Sequence, residues 1–136
     1  MPVDNEGGVI LIGSSDKELR RAIGESIRRN FVRETILVGE TSDFLLEILD
    51  KKIDLTIIDL NLSGLPIEKT IGILRRCRPT VPVIVLSDDY SVATGSRIME
   101  QGVFYYLYKP LDMEHLREII ESALKKRARE KAEEGR

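Results

Sequence analysis

The chain has 136 residues, enough for one domain and too few for two ordinary ones. Hydrophobic residues make up 42% and charged residues 32%, the balance of a globular chain with its own core rather than a disordered one. A net charge of −2 gives no electrostatic case for direct binding to nucleic acid, and no apolar run approaches membrane-spanning length.

Residues 1–8 are polar, lack the apolar core of a signal peptide and read as a flexible lead-in. Val9–Ile12 is the first strand. A helix follows over Asp16–Asn30, with Leu19, Ile23, Ile27 and Phe31 making one apolar stripe. Thr35–Val38 predicts a second strand and Ser42–Leu49 a second helix. Leu55–Asp59 is a β-branched run that ends in a carboxylate, and Ile67–Cys77 is the next helix. Cys77 has no partner for an internal disulfide, suits a reducing cytoplasm, and near a helix end reads as packing. Val83–Ser87, a helix over Ser91–Gln101, and Tyr105–Tyr108 come next. The last helix, Asp112–Ala132, carries a stripe of Leu116, Ile119, Ile120, Ala123 and Leu124. Asp16, Ser42, Ser91 and Asp112 stand at N-cap positions. Residues 125–136 are nearly all charged, with only Ala128 and Ala132 apolar. They read as a helix extension or linker beyond a domain spanning residues 9–124. Near-continuous apolar strands alternating with helices predict an α/β fold, a parallel sheet with right-handed crossovers and helices on both faces.

In such sheets, ligands bind at the C-terminal edge of the strands. Three strand ends place polar groups there: Asp59, Ser87 and Lys109, the last followed by Pro110. A carboxylate is a competent nucleophile toward phosphorus, a hydroxyl can donate to a phosphoryl oxygen, and an ammonium neutralises phosphoryl charge. A cis Lys-Pro bond in a tight turn would aim the lysine inward.

These residues, in this order, resemble the response-regulator receiver domain of two-component signalling, the CheY-like fold, over roughly Val9 to Leu124. The resemblance and the right-handed crossover rule imply a doubly wound five-stranded sheet in order 2-1-3-4-5, with two helices on one face and three on the other. It implies Asp59 as phosphoacceptor, Ser87 and Lys109 as phosphoryl-stabilising groups and Tyr106 as the aromatic switch position. It also implies the Asn61 backbone carbonyl as a helper to Asp59 in holding Mg²⁺. The expected partners are a histidine kinase or phosphotransfer protein and a downstream effector domain or protein. A homodimer would use the fourth helix, fifth strand and fifth helix, and no direct nucleic acid or membrane contact is implied. The domain signals; at most it catalyses its own phosphorylation and dephosphorylation.

The chain departs from the family at two places. The acidic pair that normally ends the first strand is Ser14-Ser15, while Asp16 matches the next position, which begins the helix. Each lost carboxylate removes an attraction of about 4 kcal/mol at ~4 Å and an effective dielectric of ~20. Mg²⁺ binding is therefore expected to be weak or absent. Asp88 stands where the family prefers a small neutral residue and can add repulsion if it turns inward. A pseudo-receiver, keeping the fold and partner face without Mg²⁺-dependent phosphorylation, is the alternative. A flavin-phosphate loop at Gly13–Asp16 is a third reading, with no ring pocket to support it. On the output face, Tyr105 and Tyr108 are expected on the side of the strand opposite Tyr106. With Tyr90 they would form an interaction surface rimmed by Arg97 and Arg117, and His115 is expected to face solvent.

Overall fold

A computed structural model describes residues 8–134; apart from Gly8, the lead-in over residues 1–8 lies outside the described residues. The strands are β1 (Val9–Gly13), β2 (Glu34–Val38), β3 (Ile53–Asp59), β4 (Val83–Ser87) and β5 (Tyr105–Tyr108). Between them run α1 (Lys17–Asn30), α2 (Thr41–Asp50), α3 (Ile67–Cys77) and α4 (Val92–Met99), and α5 (Met113–Glu134) closes the order. All neighbouring strands are parallel, in the order β2-β1-β3-β4-β5. The doubly wound sheet that alternation implied is present.

The sheet separates two cores. On one side Ile23 and Ile27 of α1 and Leu116, Ile120 and Ala123 of α5 pack on Ile10, Ile12, Leu55, Ile57, Ile84 and Leu86. On the other, Phe44 and Ile48 of α2, Ile71 and Leu74 of α3 and Ile98 of α4 cover Leu11, Ile58, Val83 and Val85. β1, β3 and β4 are buried along their whole lengths, because helices cover both faces of the central strands. Edge strand β2 is half exposed.

Asp16 caps α1 through the amides of Glu18 and Leu19, Ser91 caps α4 through Thr94, and Asp112 accepts from the amides of Glu114 and His115. Ser42 does not cap α2. That helix begins one residue earlier, with Glu40 at the N-cap position and no side-chain cap bond. The cause is long-range: Thr41 is buried under the turn after β3, its amide bonded to the Ser63 carbonyl and its hydroxyl accepting from the Leu65 amide. Gly64 makes that approach possible. Its φ is +116°, and a Cβ there would lie 2.2 Å from the Thr41 hydroxyl oxygen.

At the N-terminal edge of the sheet, Asp54 is 2% exposed. It accepts the Gly8 amide at 2.7 Å and the Lys131 ammonium at 2.6 Å, with Arg33 Nε at 3.6 Å and Arg127 Nε at 3.9 Å. The charged end of α5 is thus tied to β3 by two of its own cations, rather than standing free as a wholly solvated stretch. Removing the carboxylate leaves the buried Arg33 guanidinium, with the partly exposed Arg127 and Lys131, without a counter-charge, and an uncompensated buried charge typically costs several kcal/mol. Asp54→Asn is expected to lower the unfolding free energy by about 3–5 kcal/mol in urea titration, and an unchanged midpoint would show that solvent already screens the cluster.

Candidate functional site

Asp59 ends β3 with its side chain 1% exposed. A buried carboxylate must find donors and a counter-charge, and three segments supply them. The Lys109 ammonium, from the end of β5, lies 2.8 Å from Oδ1 and 2.9 Å from Oδ2. The Ser14 hydroxyl, from the end of β1, donates to Oδ2 at 2.8 Å, and the Asn61 amide donates to Oδ1 at 3.1 Å. The Lys109–Pro110 peptide is cis.

Ser14 is fully buried, and its oxygen also accepts the Asp16 amide at 3.1 Å. Ser15 closes the second metal position differently. Its hydroxyl donates to the Asn61 carbonyl at 3.0 Å and accepts the Ser63 amide at 3.0 Å. The Asn61 carbonyl assigned to Mg²⁺ is thus engaged by the chain itself. Asp16 is turned to the α1 amides, and Asp88 is exposed, accepting the Asn61 side-chain amide at 3.2 Å rather than turning toward Asp59. Among the described residues no group of three or more His, Cys, Asp or Glu is placed to hold a metal ion. One carboxylate, already neutralised by a lysine, with two serine hydroxyls does not make the hard anionic donor set that Mg²⁺ requires. The residues present do not fit that ion.

Ser87 is buried at the end of β4 but does not bond to Asp59. Its oxygen accepts the Tyr106 hydroxyl at 2.8 Å and the Asp89 amide at 2.9 Å. Tyr106 is half-buried against the α2–α4 side of the core. Tyr108 lies on the same side as Tyr106, correcting the expectation that it faces away: strand side chains alternate, so residues two apart share a face. The Tyr106 and Tyr108 rings meet edge-on at 5.4 Å. Tyr105 alone points to the α5 side, where its ring lies 5.7 Å from His115, itself 43% exposed in its side chain. Both arginines of the expected rim are ion-paired. Arg97 pairs with Glu68 of α3 at 3.3 Å, and Arg117 pairs with Glu114 and Glu121 of its own helix.

The sequence reading passed over Asp89. The backbone amide of Ser91, followed by the hydroxyls of Ser91 and Thr94, holds its carboxyl below the usual aspartate range. Asp-x-Ser ahead of a helix, with Thr94 near its start, was the legible sign. A depressed folded value means that the contribution to stability is present above the ordinary aspartate range and lost as pH falls through the folded value. Acidification is expected to lower the exchange protection factor of the Ser91 amide, which donates to Asp89, before the sheet opens, and Asp89→Asn should flatten that pH dependence.

A family-wide sequence comparison matches residues 10–121 to the response regulator receiver domain. Among curated proteins, the DNA-binding transcriptional regulator NtrC of a Bradyrhizobium species is 30% identical over 131 residues, covering 94% of this chain and 27% of that protein. The transcriptional regulatory protein ZraR of Salmonella typhimurium is 25% identical over 118 residues, covering 87% and 27%. The chain therefore spans about a quarter of the length of these curated relatives. Two solved structures share the fold. A CheY-like receiver domain protein of Methanospirillum hungatei superposes with a TM-score of 0.84 at 19% identity, covering 90% of this chain and 97% of that one. NtrX of Brucella abortus, in a crystal with ADP, gives 0.84 at 20% identity, covering 96% and 30%. No helix among the described residues is long and apolar enough to cross a membrane. With its sheet order, its strand-end carboxylate and lysine, and a match over most of its length, the chain belongs to the response regulator receiver family of two-component signalling.

Proposed function

We propose that Asp59 accepts a phosphoryl group from the phosphohistidine of a histidine kinase or phosphotransfer protein, in the cytoplasm, and that Lys109 rather than a divalent ion supplies the positive charge. The observation that carries this reading is the Lys109 ammonium bridging both Asp59 oxygens. Lys109 is 19% exposed in its side chain and Asp59 only 1%, so an incoming phosphoryl group meets the ammonium first. A carboxylate oxygen then bonds to phosphorus as the P–N bond to imidazole breaks, and the imidazole leaves with its electron pair and takes a proton from solvent. Ser87 turns from the Asp89 loop toward the new phosphoryl oxygens, and Tyr106, bonded to Ser87, follows. With one cation and no metal clamp, the transfer is slow.

The output is a change on the face of α4, β5 and α5, where Tyr90, Tyr105 and Tyr108 are exposed. Tyrosine suits an interface because its ring is apolar and its tip polar. The occupant is an effector domain or protein, or a second copy of the chain. Arg97 and Arg117 are engaged in ion pairs and contribute less to its rim than the sequence suggested. The domain boundary at residue 124 is proposed to be functional rather than structural, since α5 continues past it.

A specific observation favours a second reading, the metal-free interaction module. Ser14 on Asp59 and Ser15 on the Asn61 carbonyl satisfy the site without phosphate or metal. Incubation with a small acyl phosphate, followed by intact-mass measurement, separates the two. The first reading predicts a slow single adduct that is insensitive to Mg²⁺ and absent from Asp59→Asn. NMR shifts near Asn61 should not saturate with Mg²⁺ in the native chain, and should saturate in Ser14→Asp with Ser15→Asp, which also forms adduct faster. No adduct in either protein supports the second reading.

A further inference from the structure

Beyond the Ser87–Tyr106 pair, contacts of Tyr90 and Tyr108 join the two loops that carry the candidate site groups. The β4–β5 ladder ends at the pair Ser87 and Tyr108, with the Lys109 amide donating to the Ser87 carbonyl at 2.8 Å. Beyond it the chains diverge, one into the loop from Asp88 to Ser91 and the other into Lys109–Asp112. Tyr90, in the first loop, is 61% exposed. A loop tyrosine so open has no need of a partner, yet its hydroxyl donates to the backbone carbonyl of Lys109. Its ring lies 5.1 Å from Tyr108. Tyr108 meets Tyr106 edge-on, and the Tyr106 hydroxyl returns to the Ser87 hydroxyl. The path from Lys109 through Tyr90, Tyr108 and Tyr106 therefore closes on Ser87. Both rings of the inner pair lie against α4 at Gly95, where a Cβ would stand 3.6 Å from Tyr106 and 3.9 Å from the Tyr108 hydroxyl.

We infer that Tyr90 is a positioning residue for Lys109, and that the closed path through Tyr108 and Tyr106 makes Lys109 and Ser87 shift together, so that the exposed Tyr90–Tyr108 pair reports the state of both. The inference rests on Lys109 and Ser87 being the groups that serve Asp59. Its physical basis is that packed rings and directed hydrogen bonds exchange between discrete arrangements rather than deforming smoothly. When Ser87 leaves Asp89 the Tyr106 hydroxyl loses the closer of its two acceptors and keeps only the Asp89 carbonyl at 3.3 Å. Tyr106 then moves, and Tyr108 loses the edge it packs on. Tyr90 is held by Tyr108 on one side and by Lys109 on the other, so it carries the change to the second loop. Tyr105 lies across the strand beside His115 and stays out of the path.

The chain has four tyrosines, and three of them are in the path, which makes ¹⁹F NMR of the full chain labelled with 3-fluorotyrosine a direct test. Two variants enter the path from opposite ends. Ser87→Ala is expected to shift the Tyr106, Tyr108 and Tyr90 resonances and leave Tyr105 in place. Tyr90→Phe keeps the ring but not the hydroxyl. It is expected to shift the Lys109 side-chain ¹⁵N signal and the Ser87 amide, with the unfolding midpoint unchanged. A Ser87→Ala spectrum in which Tyr106 alone moves would overturn the path, and unchanged Lys109 and Ser87 signals in Tyr90→Phe would overturn the positioning role. Neither arm uses a phosphodonor, so both are decided even if Asp59 accepts no phosphate. In a third arm, with the acyl phosphate as probe, adduct formation on the native chain tests the Asp59 reading separately.

Discussion

The contact between the Lys109 ammonium and the Asp59 carboxylate is the constraint around which the rest of the molecule is arranged. Asp59 is buried because β3 is the middle strand of a sheet covered on both faces. A charge in that position is tolerated only with a partner and with its remaining lone pairs filled. The partner comes from β5, two strands away, so the pair forms only when the parallel order is complete. Ser14 from β1 and the Asn61 amide fill the remaining positions. The site is thus a test of the whole topology: a sheet lacking β5 would leave a buried carboxylate without its counter-charge, and one lacking β1 would remove a hydroxyl donor.

β3 carries a second buried carboxylate, Asp54, at its other end, and the two are solved differently. Asp59 has one ammonium and two neutral donors, a serine hydroxyl and a backbone amide. Asp54 has three cations around it, two of them from the far end of α5. The first arrangement is balanced, one buried carboxylate against one partly exposed ammonium. The second has surplus positive charge and ties distant segments together, which suits a fixed joint. The two buried carboxylates thus differ in the number and reach of their cations.

Much of this was legible in the sequence because strand ends are legible. Asp59, Ser87 and Lys109 each follow a short apolar run, and a parallel sheet brings such ends to one edge. What escaped was long-range or depended on side-chain direction. Asp54 fell just outside the strand expected over Leu55–Asp59, and its partner Lys131 is 77 positions away. The start of α2 was misread by one residue because Thr41 answers to the Gly64 turn, not to its own neighbours. Tyr108 was assigned to the wrong side of β5, although the period of a strand places it with Tyr106. The Tyr90 contact had no local sign, since an exposed tyrosine in a loop usually has no partner.

The serines at positions 14 and 15 have a physical consequence beyond the loss of charge. An acidic pair beside Asp59 would concentrate negative charge at one buried edge, and only a divalent cation could hold it together. Hydroxyls remove that demand and also occupy the places the cation would organise. Ser14 donates to Asp59, and Ser15 bridges the Asn61 carbonyl and the Ser63 amide, so the loop after β3 is held to the loop after β1 by neutral hydrogen bonds. In a receiver built around a metal, that loop is ordered by an ion that comes and goes. Here the chain itself holds that loop, and the cation facing Asp59 at the edge is Lys109. On the reading proposed above, a change of state would pass through the residues that hold Lys109 and Ser87, the aromatic side chains of β5 and the Tyr90 loop, rather than through an acidic pocket.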